Sequence, residues 1–346
     1  MGTTTYLVTG GAGHLGSTIV RFLARSGSRV RSLVLPHQRS PRFPSVDVVT
    51  GDVTNPDSLK PFFSGITGEN AVLIHTVGLI SIGGVSKRAL YHVNVDGTRN
   101  VIEAAIRQGI RRIVHVSSVH AIPEPQDPSS IIREVTHFDP DLVVGDYAKS
   151  KAVATQMVLD HVGKGTEILV VHPSGILGPY DRGGNHLVHM IDLRRRGHLP
   201  FAVRGGYDFV DVRDVAQGCI NATTMGRDGG TYLLSGHYAQ VSEVLEMVDR
   251  SRVPAMPRVL ATACAPIAEG VARVLNTQPL FTRYAIHTLG TNGRFTHDAA
   301  TRELGFIPRP LRQSVEDTVA YLGGERRGLL ESVEWRRLLP RPATSR

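Results

Sequence analysis

Short apolar runs and helix-period stretches alternate through the first half of the chain. Runs at 4–9, 29–35, 46–50, 71–77, 112–117 and 167–172 are rich in Val, Ile, Leu and Thr, the pattern of strands buried on both faces. Between them apolar residues recur at helical spacing, as in Ile19, Phe22 and Leu23, and a long helical stretch covers 87–108. Strand and helix in alternation is the signature of a parallel sheet, so the expected fold is a doubly wound α/β domain. Beyond Pro173 the alternation loosens. Stretches 175–184 and 197–206 are glycine-rich and read as loops, 209–212 and 232–235 read as short strands, and the chain after Val241 reads as mostly helical. The expected organisation is a first domain at 1–174, a smaller, mostly helical substrate lobe at 175–325 interleaved with it, and a basic tail at 326–346.

Composition narrows the class. Of the 346 residues 41% are hydrophobic and 20% charged, ordinary for a globular chain, and no run of eighteen apolar residues offers a membrane span. The N-terminus enters a strand at once, leaving no room for a signal peptide, so the expected location is the cytoplasm. Cys219 and Cys264 stand far apart and read as free buried thiols, not as a disulfide or a zinc cage. His186 and His189 share a helical spacing but lack a placed carboxylate, so no metal site is expected. Net charge is +8, carried mostly by scattered arginines, and such scatter argues against a nucleic-acid partner.

Two constellations carry chemistry. Thr9–Gly16 reads T-G-G-A-G-H-L-G, following a strand and opening a helix. Gly10, Gly13 and Gly16 permit a tight turn, and the backbone N–H groups around His14 and Leu15 can approach a pyrophosphate at the helix N-terminus. At the end of the second strand an acid would accept bonds from a ribose 2′-OH and repel a 2′-phosphate. None stands between Val30 and Arg42, whereas His37 and Arg39 lie close by, so NADP is favoured over NAD. The second constellation is Tyr147-Ala-Lys-Ser-Lys151, whose spacing of four puts Tyr147 and Lys151 on one helix face. A phenol can protonate a carbonyl oxygen during hydride transfer, and a neighbouring ammonium is expected to lower its pKa. Ser117 and Ser118 end the fifth strand, at the edge where open α/β sheets take their ligands.

These motifs, with H-P-S-G-I-L-G-P at 172–179, D-F-V-D-V-R-D-V-A at 208–216 and E-L-G-F at 303–306, resemble the extended short-chain dehydrogenase/reductase superfamily, the NAD-dependent epimerase/dehydratase family. The resemblance runs over about residues 3–323 and implies a Rossmann fold. It also implies that Asp52 and Val53 lie near the adenine, that His172 and Pro173 belong to the cofactor site, and that Lys151 bonds the nicotinamide ribose. Ser118 is the serine that would hold the substrate oxygen, and Asn94, in N-V-D-G-T-R-N, would support a proton relay or serve the helix alone.

Departures narrow the reaction. Dehydratases of this family carry Thr-Asp-Glu where this chain has Ser118-Val119-His120, so water elimination lacks its acid and base. Sugar-nucleotide epimerases show an arginine where Tyr207 stands, although Arg204 and Arg213 are near in sequence. The chain is closest in character to the dihydroflavonol-reductase-like and 3β-hydroxysteroid-dehydrogenase-like members. The expected activity is NAD(P)-dependent hydride transfer between the cofactor and a ketone or secondary alcohol. The alternatives are a nucleotide-sugar epimerase and a non-enzymatic NAD(P)-binding regulator. Apolar segment 259–289 suits a pocket wall, a peripheral membrane contact or plain core. Partners are expected to be the small-molecule substrate and a second copy, through the helices beginning near Lys87 and Gly145.

Overall fold

The computed structural model describes residues 4–41, 43–80, 85–125, 127, 129–265 and 283–324, so Arg42 and the basic tail lie outside the described residues. In chain order come β1 (Thr5–Thr9), α1 (His14–Arg25), β2 (Arg29–Val34), β3 (Val46–Thr50), α2 (Lys60–Phe63), β4 (Ala71–His75) and α3 (Lys87–Tyr91). A π-helical stretch His92–Gly97, α4 (Thr98–Arg107), β5 (Arg112–Val116), α5 (Asp146–Leu159) and β6 (Glu167–Pro173) complete the first half. The second half holds β7 (Gly175–Leu177), α6 (His186–Arg195), β8 (Ala202–Val203), β9 (Gly206–Asp211) and α7 (Val212–Asn221). There follow β10 (Thr231–Leu234), β11 (His237–Gln240), α8 (Val241–Asp249), β12 (Ala255–Met256) and the helices Arg283–Thr288, Asp298–Leu304 and Leu311–Leu322.

Seven parallel strands form the main sheet in the order β3-β2-β1-β4-β5-β6-β10. Strand order reverses between β1 and β4, and such a switch point opens a ligand crevice at the carboxyl edge. The continuous apolar runs reflect burial on both faces. Leu7, Leu73, Ile113 and Ile168 point to one side with Phe62, Val101 and Ile102, while Val8, Ile74, Val114 and Leu169 point to the other with Ile19, Leu23, Val215 and Cys219. Each such fully buried Leu or Ile contributes about 1.5–3 kcal/mol.

After β6 the chain forms small sheets beside its helices: β11-β9-β7 and β12-β8. Glycine-rich 175–184, read as a loop, therefore contains a strand, and 231–234 returns to the main sheet as its seventh strand. The helical stretch from Lys87 to Arg107 forms, but its middle is wound as a π-helix, which inserts an extra residue into the turn. Gly97 lies so close to Val53 that a Cβ there would stand 2.7 Å from Val53 Cγ2. Cys219 is buried as expected and Cys264 is exposed. Among the described residues no helix is long and apolar enough to cross a membrane.

Candidate active site

The glycine loop is shaped by close approach. Gly10 adopts φ +70°, a left-handed backbone, and a Cβ on Gly16 would stand 2.2 Å from Gly10 O. Gly13 N donates to Gly10 O at 2.9 Å, and no side chain caps α1 and no acid occupies its first turn. The helix therefore presents bare N–H groups and positive dipole to an anion, and the cradle fits a pyrophosphate. His14 is tied down on both nitrogens: Nε2 donates to Pro179 O at 2.8 Å and Nδ1 accepts from Asn185 Nδ2 at 3.0 Å. Burial lowers its pKa, so His14 is a neutral strut between the glycine loop and the chain at 179–185. Leu15 packs its side chain into the core, leaving only its backbone for a ligand.

At the adenosine end, Asp52 spends Oδ1 on the Thr54 N–H (2.9 Å) and hydroxyl (2.8 Å), a turn bond that fixes the chain after β3. Val53 is buried, and its carbonyl accepts from Asn100 Nδ2 at 2.9 Å. His37 and Arg39 are exposed on the loop after β2, and Arg182, from the loop before α6, donates to Arg39 O at 2.9 Å. Sequence reasoning missed Arg182 because nothing local links it to that loop.

α5 begins at Gly145, whose φ of +95° and contact with Tyr284 exclude a side chain there. Tyr147 and Lys151 are both buried on its inner face. Burial pushes the Tyr147 phenol up to about 12, with the Ser118 hydroxyl as the hydrogen-bonding neighbour that opposes the rise. Burial also brings the Lys151 ammonium down to about 8, and its Nζ donates to Val116 O at 3.1 Å. The expectation that the ammonium lowers the phenol is not met: desolvation dominates both groups, and Lys151 is not among the groups acting on Tyr147.

The two serines at the end of β5 diverge. Ser117 is committed to Thr155 Oγ1 at 2.6 Å, while Ser118 caps the turn Val119–Ala121 and faces Tyr147. Asn94, on the π-helical turn, is saturated: Oδ1 accepts from Leu79 N at 2.7 Å, and Nδ2 donates to Leu79 O at 3.1 Å and Ser150 Oγ at 3.0 Å. Both amide hydrogens are spent, so Asn94 clamps the chain after β4 against α5. His172 is fully buried, with Nδ1 bonded to Ser118 O at 3.1 Å and its ring stacked on Phe138. Its side chain has no surface for a ligand. It holds the serine strand end, which leaves only its backbone for the cofactor contact that the resemblance implies, and Pro173 beside it pairs within the sheet opposite Leu234.

Beside Tyr147 opens a cavity of about 230 Å³, with Ile122, Ile132, Val143 and Phe295 among its apolar walls. Its polar wall includes His120, Tyr207 and Tyr284, with Glu124, His287, Thr288, Thr291 and Asn292. Tyr284, His287 and Thr288 come from the apolar segment 259–289, so part of that segment is pocket wall. Val259 and Leu260 are exposed, and 266–282 lies outside the described residues. Among the described residues no lysine or arginine lines the cavity. Arg213 is unavailable to a diphosphate, being fully buried and paired with Asp211 and Asp317, each at 2.7 Å.

The chain matches the family described as NAD dependent epimerase/dehydratase over residues 6–235. It is 30% identical to the sterol demethylase protein B of Methylococcus capsulatus, covering 92% of this chain and 98% of that one. It is 27% identical to a 3-beta-hydroxysteroid dehydrogenase of Mycolicibacterium neoaurum, covering 87% and 86%. Among solved structures, gox2253 superposes with a TM-score of 0.79 at 30% identity over 94% of this chain and 99% of that one. WbmH of Bordetella bronchiseptica, solved with NAD+, gives 0.71 at 18% over 93% and 99%, a likeness of fold. Glycine cradle, switch-point sheet and sequence match agree: the chain belongs to the NAD-dependent epimerase/dehydratase family of the short-chain dehydrogenase/reductase superfamily.

Proposed function

We propose that the protein catalyses reversible hydride transfer between NADP(H) and an uncharged, ring-bearing ketone or secondary alcohol. The observation that carries this reading is the buried Tyr147–Ser118 pair, in contact through the His120 ring with a cavity whose wall, among the described residues, contains no lysine or arginine. The bound dinucleotide supplies or accepts the hydride. Everything else falls to side chains. Ser118 donates to the substrate oxygen and fixes it beside Tyr147. Tyr147, held protonated by burial, gives its proton to the alkoxide oxygen as charge develops there, and takes it back in the alcohol direction. Lys151 would bind the nicotinamide ribose, and Asn94 keeps α5 and the chain after β4 in register. The glycine loop would hold the pyrophosphate and Asp52 and Val53 the adenosine, with His37 and Arg39 beside a 2′-phosphate. The names of the sterol and hydroxysteroid relatives support a ring-bearing substrate.

The epimerase alternative needs a cation for the sugar nucleotide's diphosphate, and the buried pairing of Arg213 removes one candidate. We further propose a cytoplasmic homodimer across the outer faces of α4 and α5, which light scattering in solution tests. The activity is tested by following reduced-nicotinamide absorbance with cyclic ketones, secondary alcohols and UDP-sugars. Turnover of ketones is expected. Epimerisation of a UDP-sugar with no ketone reduced refutes the reading.

A further inference from the structure

The cavity contains a polar device that the reaction at Tyr147 does not use. His120 Nε2 lies 2.7 Å from Tyr207 Oη, and His120 Nδ1 lies 3.5 Å from Tyr284 Oη. The His120 ring stacks on Tyr207 with centroids 5.7 Å apart and sets its edge against Tyr147 at the same separation. Both phenols are admitted by glycines: a Cβ on Gly175 would stand 2.7 Å from Tyr207 Cδ1, and one on Gly145 would stand 2.4 Å from Tyr284 Cε2. The trio is therefore built into the wall. It is also tied to the reacting centre, because the backbone N–H of His120 donates to Ser118 Oγ at 3.3 Å within one short turn.

Counting hydrogens shows what the trio can do. A neutral imidazole has one N–H and one bare nitrogen, and the phenols bring two O–H groups. Linking the three in a chain consumes two hydrogens and leaves one. If Nε2 carries the proton, Tyr284 donates to Nδ1 and the Tyr207 hydrogen is left for a ligand. If Nδ1 carries it, Tyr207 donates to Nε2 and the Tyr284 hydrogen is left. A tautomer flip thus moves a single donor from one end of the trio to the other. Burial holds His120 neutral by bringing it down to about 4, and the cavity wall includes Glu124 but, among the described residues, no lysine or arginine. A carboxylate or phosphate entering here would give up its hydration without a counter-charge.

We propose that Tyr207, His120 and Tyr284 form a second anchor that donates to a neutral acceptor oxygen of the substrate, distant from the oxygen that reacts. The inference rests on the oxidoreductase reading and sharpens it: the substrate class is an uncharged, apolar ring compound with two oxygen functions. Tyr147 and Ser118 take one oxygen, and the trio takes the other. Tyr207, His120 and Tyr284 are in this account specificity residues, not proton donors to the reacting carbonyl.

The test uses the full chain saturated with oxidised dinucleotide, which cannot reduce a ketone, so binding is read without turnover. The probes are a decalin monoketone, the matching decalin dione and the matching keto acid. Calorimetry is expected to show the dione bound about tenfold more tightly than the monoketone, the size of one net hydrogen bond, and the keto acid bound most weakly. In the double variant Tyr207→Phe/Tyr284→Phe, which keeps both rings, the preference is expected to fall to about twofold or less. Equal binding of dione and monoketone, a preference unchanged in the double variant, or tightest binding of the keto acid overturns the proposal. Nitrogen NMR of histidine-labelled wild-type protein gives a second reading that needs no folded variant. The dione is expected to shift the His120 tautomer balance and the monoketone to leave it, and no shift with the dione also overturns it. Adding reduced dinucleotide separates the two readings. A binding preference without turnover leaves the anchor standing and removes the oxidoreductase assignment, whereas turnover without preference removes the anchor alone.

Discussion

Replacing Lys151 by Met is expected to make the dinucleotide-free protein more stable while disabling it. The ammonium is buried, and its descent from 10.5 to about 8 measures the penalty of keeping it charged there. At about 1.4 kcal/mol per tenfold in the equilibrium, that penalty is roughly 3 kcal/mol. Met fills similar space without charge but loses the bond to Val116 O, worth about 1 kcal/mol. The net gain at pH 7 is then about 2 kcal/mol, a few degrees in Tm. The pH dependence fixes the cause. Below 8 the amine is protonated in both folded and unfolded chains, and the wild type bears the full penalty. Between 8 and 10.5 the unfolded chain holds more protons than the folded one, so wild-type stability rises with pH, and the penalty is gone above 10.5. Urea unfolding of both proteins at pH 7 and pH 10.5 reads this directly. The variant should lead at pH 7 and lose its lead at pH 10.5. A variant less stable at pH 7, or a gap equal at both values, refutes the reasoning.

Three further outcomes follow from single contacts. Gly16→Ala forces a Cβ to within 2.2 Å of Gly10 O and 2.8 Å of Thr76 Oγ1, so calorimetry should show dinucleotide affinity lowered about a hundredfold or more. Asn94→Ala strands the Leu79 N–H and carbonyl and removes a donor to Ser150 Oγ, and should destabilise by about 2–3 kcal/mol in urea; a loss under 0.5 kcal/mol, approximately the effect of a neutral surface change, contradicts the clamp. Leu35→Asp places a carboxylate just past the end of β2, where it would accept from a ribose 2′-OH and repel a 2′-phosphate. Fluorescence titration should then show NAD gaining on NADP by about tenfold or more, and an unchanged ratio counts against the charge argument.

Much of this was legible in the chain. Among the strands of the first half, β4 and β6 announce themselves most clearly as apolar runs because both of their faces are covered, whereas the edge strand β3 is largely exposed. The glycine loop and the Tyr147/Lys151 spacing are local patterns, and local patterns survive translation into structure. What failed was decided at long range. Gly175 reads as a loop residue, yet it is there because Tyr207, from another strand, packs on its Cα. Nothing in its motif told that the His172 ring stacks on Phe138 and bonds Ser118 O. The rise of the Tyr147 phenol could not be read from a neighbouring lysine, because it comes from the depth of the site. Tyr284 carries no motif at all, and only folding brings it to His120.

The central claim is that a buried phenol gives its proton to a substrate oxygen as hydride arrives from the dinucleotide. Deuterium-labelled NADPH and a cyclic ketone test it in one experiment. The account predicts an alcohol deuterated on its carbinol carbon, and a fall of about a hundredfold to ten-thousandfold in kcat/KM for Tyr147→Phe with dinucleotide affinity retained. Deuterium absent from the product, or a Tyr147→Phe variant as fast as the wild type, contradicts it.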